Sequence, residues 1–145
     1  MSFTSFFHLI FHSCSIGDFY PSSRNKIHNF NQCNMTFLNE EITLDVAVSK
    51  TERELGLSYR EKLPNNEGML FYLDKENQIS FQTQKIKFDI CIIFLDANKN
   101  ILHFQVLRPK GNILSAPNSN YALELSANHC SEMKKIKTLP LCDRE

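Results

Sequence analysis

The sequence has no excess of charge of either sign and no long apolar run, and both absences exclude classes of protein. Lys and Arg together number 16, as do Asp and Glu, so the formal net charge is zero. Such a chain lacks the basic field that attracts phosphate backbones. Its apolar runs are short: the one from Phe6 to Phe11, which contains His8, is far shorter than the roughly 20 residues of a membrane helix. We therefore expect no nucleic-acid partner and no transmembrane segment.

Glycine and closely spaced cysteine are also scarce. With four glycines the chain has no Gly-rich loop of the kind that holds phosphate. Neither a CxxC pair nor an HExxH pattern occurs, so we expect no metal site and no cofactor. The cysteines are odd in number and widely spaced, which favours buried or incidental thiols over a disulfide framework: Cys14, Cys33, Cys91, Cys130 and Cys142.

Residues 1–34 differ in character from the rest of the chain. They are rich in Phe, Ser, Asn and His and show no sustained period of 2 or 3.6. Three interpretations stay open: a disordered arm or mis-assigned start with Met35 as the initiator, a weak export signal, and an ordered extension. The first makes the protein cytoplasmic, whereas a signal over residues 1–14 makes it exported or lipid-anchored at Cys14. Residues 35–145 are predicted to form a single domain.

The first readable pattern lies at Ile42–Val48, where apolar residues alternate with Thr43, Asp45 and Ala47. This period of 2 is typical of a half-buried strand. Ser49 and Thr51 follow it, and each precedes a glutamate by three residues, so either pair can form a capping box. The pattern predicts a short helix over residues 51–62.

Further strands are predicted where short apolar runs are bounded by turn residues. The most hydrophobic run, ICIIFL, is predicted to be a central strand buried on both faces. A long loop is expected at 108–120 and a weak helix at 127–135. The predicted strands are 69–73, 78–83, 90–95, 101–107 and 121–125. Together these elements predict a mainly β domain, a small β-barrel or jelly-roll-like sandwich with one short helix after the first strand.

One segment carries a family resemblance, the run TERELGLSYREKLPNNEGMLF at residues 51–71. It resembles the bacterial and archaeal family called domain of unknown function 192, whose late strand is also similar to YALEL at 121–125. The resemblance implies a small all-β domain, often exported, with no assigned activity. Ten positions follow the family's usual pattern: Glu52, Arg53, Gly56, Leu57, Arg60, Leu63, Gly68, Met69, Leu70 and Phe71.

The middle of the chain departs from that pattern. After the Phe at position 81 the family typically carries Trp, Met, Lys, Asn and Thr, and a later Asp starts the central strand. This chain has none of these residues at the corresponding positions, which here are Gln82, Thr83, Gln84, Lys85 and Ile86. Since the family's regular polar positions would form its pocket, the resemblance implies that this chain has altered or lost the ligand.

Three residues are candidates for a ligand-binding site. Arg53 and Arg60 lie seven positions apart and share one helix face if the helix continues that far. Their guanidinium groups could clamp a carboxylate or phosphate, or could pair with local acids such as Glu61 or Glu124. Glu124 lies in the middle of a predicted strand and is either exposed or the partner of an arginine.

No catalytic constellation is visible, so the sequence favours a protein of unknown function that is not an enzyme. The leading hypothesis is a small-ligand or partner-binding β-domain, for example a cell-envelope accessory protein. One alternative is an enzyme with a pocket formed by Arg53, Arg60 and Glu124. Another is a diverged copy that has lost the family's ligand.

Overall fold

The structure is a computed structural model that describes residues 29–73, 79–111 and 113–143. Its order is β1 (Asn31–Phe37), β2 (Glu40–Ala47), α1 (Lys50–Leu55), β3 (Glu67–Tyr72), β4 (Ser80–Gln82), β5 (Ile90–Leu95), β6 (Ile101–Leu107), β7 (Ile113–Ser115) and β8 (Tyr121–Ser126). Two short 3-10 helices follow, Ala127–His129 and Glu132–Lys135. The prediction of a mainly β domain is confirmed.

Six strands form one sheet in the order β1-β2-β3-β8-β5-β6, and β4 pairs with β7 in a second, smaller sheet. All pairs are antiparallel except β2 with β3. In the described part of the chain neither sheet closes on itself, so the barrel alternative was wrong. The sandwich alternative is confirmed in coarse form, because the small sheet packs over one face of the large one. The jelly-roll form of the prediction does not describe this arrangement, because one sheet has six strands and the other has two.

The large sheet is buried on both faces, and each face has its own core. One face, which carries Leu44, Leu70 and Leu123, is covered by the 3-10 helices and the C-terminal tail. We call the opposite face, which carries Met69 and Phe71, the cavity face; the segment after α1 and the β4–β7 sheet cover it. Because β5 is covered by a core on each face of the large sheet, all six of its residues are buried, as the sequence predicted.

The helix is shorter than predicted and stands elsewhere in the order of elements. Ser49 and Glu52 form the expected capping box at its start. Gly56, with a φ of +49°, ends it after six residues, well before residue 62. The helix follows the second strand and not the first as predicted. The additional strand is β1, which begins at Asn31 inside the segment 1–34 and was not predicted. The interpretations of residues 1–28 lie outside the described residues.

Two disulfides join distant parts of the chain, so the interpretation of these four cysteines as thiols was wrong. Cys33 on β1 is bonded to Cys142 in the tail, and Cys91 on β5 is bonded to Cys130. The partners are 109 and 39 residues apart in sequence, and only the tertiary fold brings their Cα atoms to 6.0 and 5.3 Å. Both bonds fix the C-terminal segment to the sheet.

Among the helices that the structure describes, none is both long enough and apolar enough to cross a membrane.

Candidate functional site

A buried cluster of charges lies at one end of the cavity face, on β2 and β3. The Arg60 guanidinium contacts two carboxylates there, with Nη2 2.5 Å from Asp45 Oδ2 and Nη1 2.5 Å from Glu67 Oε2. Tyr59 donates its hydroxyl to Asp45 Oδ2 at 2.6 Å and accepts from Arg60 Nε at 3.2 Å. Gln32 donates to the other Asp45 oxygen at 2.6 Å. Each carboxylate oxygen of Asp45 therefore has a donor.

The electrostatics of this cluster follow from its contacts. Burial raises the pKa of Asp45, but hydrogen bonds from Tyr59, Gln32 and Arg60 outweigh it and leave that pKa below its ordinary value. Burial, followed by the hydrogen bond to Asp45, raises the pKa of Tyr59 to about 12. All three nitrogens of the Arg60 guanidinium are used within the cluster. This arrangement fixes β2, β3 and the segment after α1 to one another.

Arg53 is held in a different way. Its Nη1 donates to the carbonyl oxygen of Val48 and, at 3.3 Å, to that of Tyr72. Because α1 ends at Leu55, Arg53 and Arg60 do not share a helix face, and the expected pair of guanidinium groups does not form. The acid partners of Arg60 are Asp45 and Glu67 rather than the local acids considered from the sequence.

Glu124 is a buried carboxyl with no partner among the described residues. It lies in the middle of β8, with Met69 of β3 and Ile92 of β5 beside it in register. Only 5% of its surface is exposed. Burial alone raises its pKa to about 8, and no hydrogen bond or charge offsets that effect. At neutral pH the group is therefore largely a neutral carboxylic acid, which can donate one hydrogen bond.

Glu124 lines a cavity of about 350 Å³ between the cavity face and the segments that cover it. Apolar walls come from Leu57, Phe71 and Phe81, and the ring of Phe81 packs edge-on against that of Phe71 at 5.2 Å between centroids. Arg53 also lines this cavity, whereas Arg60 does not. The structure thus brings two of the three candidate residues to one cavity and places the third in the neighbouring cluster.

The segment that departs from the family pattern forms another wall of the same cavity. Four of its five positions line it: Gln82, Gln84, Lys85 and Ile86. The fifth, Thr83, is buried and is not among the lining residues. The cavity therefore lies between the residues that keep the family pattern and those that depart from it.

The acidic half of the buried cluster was not predicted. Asp45 alternates with the apolar residues of β2, a pattern that indicates an exposed side chain, whereas the second core buries this face as well. Glu67 was not placed in a strand, because β3 was predicted to begin at residue 69. Its place beside Arg60 depends on the pairing of β2 with β3.

Over residues 29–73, 79–111 and 113–143, no group of three or more His, Cys, Asp or Glu side chains is arranged to hold a metal ion.

Fold and site together define a mainly β sandwich domain with a small cavity above a buried carboxyl group. The sequence profile of domain of unknown function 192, described as an uncharacterized ACR, matches residues 33–137. The chain therefore belongs to this family. No curated protein matches it.

The solved structures that are similar to this one include two proteins with the same TM-score. The first is a protein of unknown function from Novosphingobium aromaticivorans DSM 12444, with 18% identity and a TM-score of 0.62. The match covers 75% of this chain and 81% of that one. The second is a proposed transcription regulator from Sinorhizobium meliloti 1021, with 19% identity, a TM-score of 0.62 and coverage of 77% and 92%. At these identities the likeness concerns the fold alone.

Proposed function

We propose that this protein is a non-catalytic binding domain that takes a small molecule into the cavity above Glu124. The observation that carries the proposal is the carboxyl of Glu124 at the cavity wall, which is 5% exposed and has no hydrogen-bond partner among the described residues. Buried polar groups in folded proteins nearly always have a hydrogen-bond partner, so one without a partner calls for an explanation. A ligand that completes the hydrogen bonding of Glu124 supplies it.

The size and lining of the cavity support the same proposal. Small-molecule sites are concave, mostly apolar, and carry a few polar groups that orient the ligand. Here about 350 Å³ is bounded by Leu57, Phe71 and Phe81, with Glu124 and Arg53 as polar groups. The volume is at the lower end of the usual range and suits a compact metabolite rather than a nucleotide.

The alternative of an enzyme using Arg53, Arg60 and Glu124 has less support. Its three residues are divided between the cavity and the buried cluster, and the guanidinium of Arg60 is engaged by Asp45 and Glu67. The alternative of a diverged copy without ligand predicts that nothing binds in the cavity. A binding experiment separates it from our proposal.

A thermal-shift panel of sugars, amines, carboxylates and amino acids tests the proposal. A ligand at 100 times its dissociation constant stabilises the folded state by about 2.7 kcal/mol, which this assay detects. We expect at least one class to raise the Tm of the wild type and to lose its effect in Glu124→Gln. Glu40→Gln, at an exposed carboxyl outside the cavity, is the matched control. A panel that leaves the wild-type Tm unchanged would favour the diverged copy.

The two disulfides favour the exported alternative for localisation, because such bonds persist mainly in oxidising compartments. We infer that the domain works outside the reducing cytoplasm. Alkylation of protein from its native cells, followed by mass spectrometry, should leave Cys33, Cys91, Cys130 and Cys142 unmodified. Alkylation of all four would contradict the inference.

A further inference from the structure

We propose that the ligand is a small zwitterion, an aminocarboxylate whose ammonium group lies against Glu124 and whose carboxylate lies toward Lys85. This inference rests on the proposed function, since it names the class of molecule that occupies the same cavity. It follows from the charged groups that line the cavity and from what each of them already contacts.

Four charged residues line the cavity: Arg53, Glu54, Lys85 and Glu124. Two of them are engaged elsewhere. Arg53 donates to the carbonyl oxygens of Val48 and Tyr72, and Glu54 lies 3.8 Å from Lys50 on the exposed side of α1. A ligand therefore meets the other two charges, one acidic and one basic.

Lys85 and Glu124 form no hydrogen bond or ion pair with any described residue. Both line the cavity, Glu124 from the large sheet and Lys85 as an exposed residue of the segment between β4 and β5. A molecule with one charge of each sign can satisfy both, whereas a simple amine or a simple carboxylate satisfies one. The apolar side chains of Leu57, Phe81 and Ile86 are available to an alkyl portion of the ligand.

The raised pKa of Glu124 supports this arrangement and predicts the direction in which the affinity for the ligand changes with pH. Its neighbours in register, Met69 and Ile92, are apolar, and Asp45 lies two strands away with its charge engaged by Arg60. Burial raises the pKa of Glu124 to about 8, so an ammonium ligand must remove its proton on binding. Affinity should then rise by roughly 50-fold between pH 6 and pH 8, following the ionised fraction of a group with a pKa of about 8. A neutral ligand that accepts a hydrogen bond from the acid would show no such rise.

Isothermal titration calorimetry with three sets of probes tests the inference on the full chain. The zwitterions are glycine, leucine, 4-aminobutanoate and 6-aminohexanoate; the single charges are pentylamine and hexanoate; glucose is the neutral probe. We expect at least one zwitterion to bind more tightly than pentylamine or hexanoate, with an affinity that increases from pH 6 to pH 8. The chain length of the best zwitterion then reports the distance between the two charges.

Two variants separate the roles of the two residues. Lys85→Met should weaken zwitterion binding about tenfold and leave pentylamine binding unchanged, while Glu124→Gln should abolish both. Lys62→Met, at an exposed lysine outside the cavity, is the control for lost positive charge.

The outcomes distinguish this inference from the proposed function. Tight binding of glucose or hexanoate alone, or zwitterion affinity unchanged in Lys85→Met, would overturn the inference and leave the cavity as a binding site. If no compound binds here and none in the wider thermal-shift panel does, both fail.

Discussion

Asp45 and Glu124 lie in one row of the cavity face, with Met69 on the strand between them. Two strand spacings separate them, roughly 10 Å. Asp45 receives hydrogen bonds from Gln32, Tyr59 and Arg60. Glu124 receives none from the described residues and borders a cavity instead. The pKa of Asp45 is lowered as a result, whereas that of Glu124 is raised to about 8.

The contrast between Asp45 and Glu124 distinguishes a structural polar group from a functional one in the same sheet. A buried ionic cluster whose charges are paired holds chain segments in place, and removal of one partner leaves the opposite charge without it. A buried carboxyl without a partner lowers stability and is not explained by the fold. This contrast is why we assign binding to the Glu124 cavity and a structural role to the cluster around Arg60.

The largest expected effect is the pH dependence of stability through Glu124. Its pKa is raised in the folded state from 4.5 to about 8, so the folded chain retains a proton that the unfolded chain releases. The retained proton stabilises the folded state fully below pH 4.5, and this stabilisation is lost as the pH rises from 4.5 through 8. The free energy of unfolding therefore falls by roughly 5 kcal/mol in total, at about 1.4 kcal/mol per pKa unit. Urea unfolding of the wild type and of Glu124→Gln is measured between pH 4 and pH 9. The difference between their free energies of unfolding should change over this range. Parallel curves for the two proteins would contradict the prediction.

Removal of Arg60 should have the next largest effect. Arg60→Met leaves Asp45 and Glu67 buried without their cation, and loss of one member of such a cluster lowers the free energy of unfolding by about 3–5 kcal/mol. Urea unfolding at pH 7 measures the loss. Lys62→Met removes a positive charge at an exposed position and should change stability by less than about 0.5 kcal/mol. Similar losses in the two variants would show that the cluster does not stabilise the fold as described.

A smaller change tests whether the hydrogen bond from Tyr59 to Asp45 stabilises the folded protein. Tyr59→Phe removes the hydroxyl that donates to Asp45 at 2.6 Å and keeps the ion pair with Arg60. Because the acceptor is charged, we expect a loss of about 2 kcal/mol in the free energy of unfolding. Tyr121→Phe, whose ring packs edge-on against that of Tyr72, is the matched control and should have little effect. Equal stabilities of the two variants would argue against the importance of this hydrogen bond.

The smallest expected effect concerns the helix whose residues line the cavity. Ser49→Ala removes the side-chain acceptor of the capping box at the start of α1, which should cost about 1 kcal/mol. Chemical unfolding gives the magnitude, and Thr51→Ala at an exposed position of the same helix, outside the cavity, serves as the control. If α1 supports the cavity as we infer, Ser49→Ala should also weaken binding of the best probe. Unchanged stability and binding would show that the cap is dispensable.

Local sequence patterns predicted much of the sheet. The bounds of β5 and β6 agree with prediction, and β8 extends the predicted strand by one residue, because apolar composition and turn residues mark these strands without reference to the rest of the chain. The end of α1 was predicted at residue 62, although Gly56, with its positive φ, is the kind of residue that commonly ends a helix. Strand β1 was missed because four of its seven residues are exposed and its apolar residues are few.

The candidate site was predicted only in part. Arg53 and Glu124 do line one cavity, but the sequence could not show that Arg60 belongs to another cluster. That outcome depends on the parallel pairing of β2 with β3, which brings Asp45 and Glu67 beside Arg60. The disulfide partners were likewise beyond reach, because pairing at a separation of 109 residues carries no local signal.

The amino-acid pattern alone was enough to predict the family, the mainly β class and the strands whose apolar pattern is strong. These features depend on neighbours within a few residues, so they can be read along the chain. The folded chain was needed to show which strands pair, which cysteines bond, and which of the three buried carboxyls contact Arg60. Those outcomes depend on segments that are distant in sequence and meet only when the sheet is assembled, and they separate the cluster around Arg60 from the cavity beside Glu124.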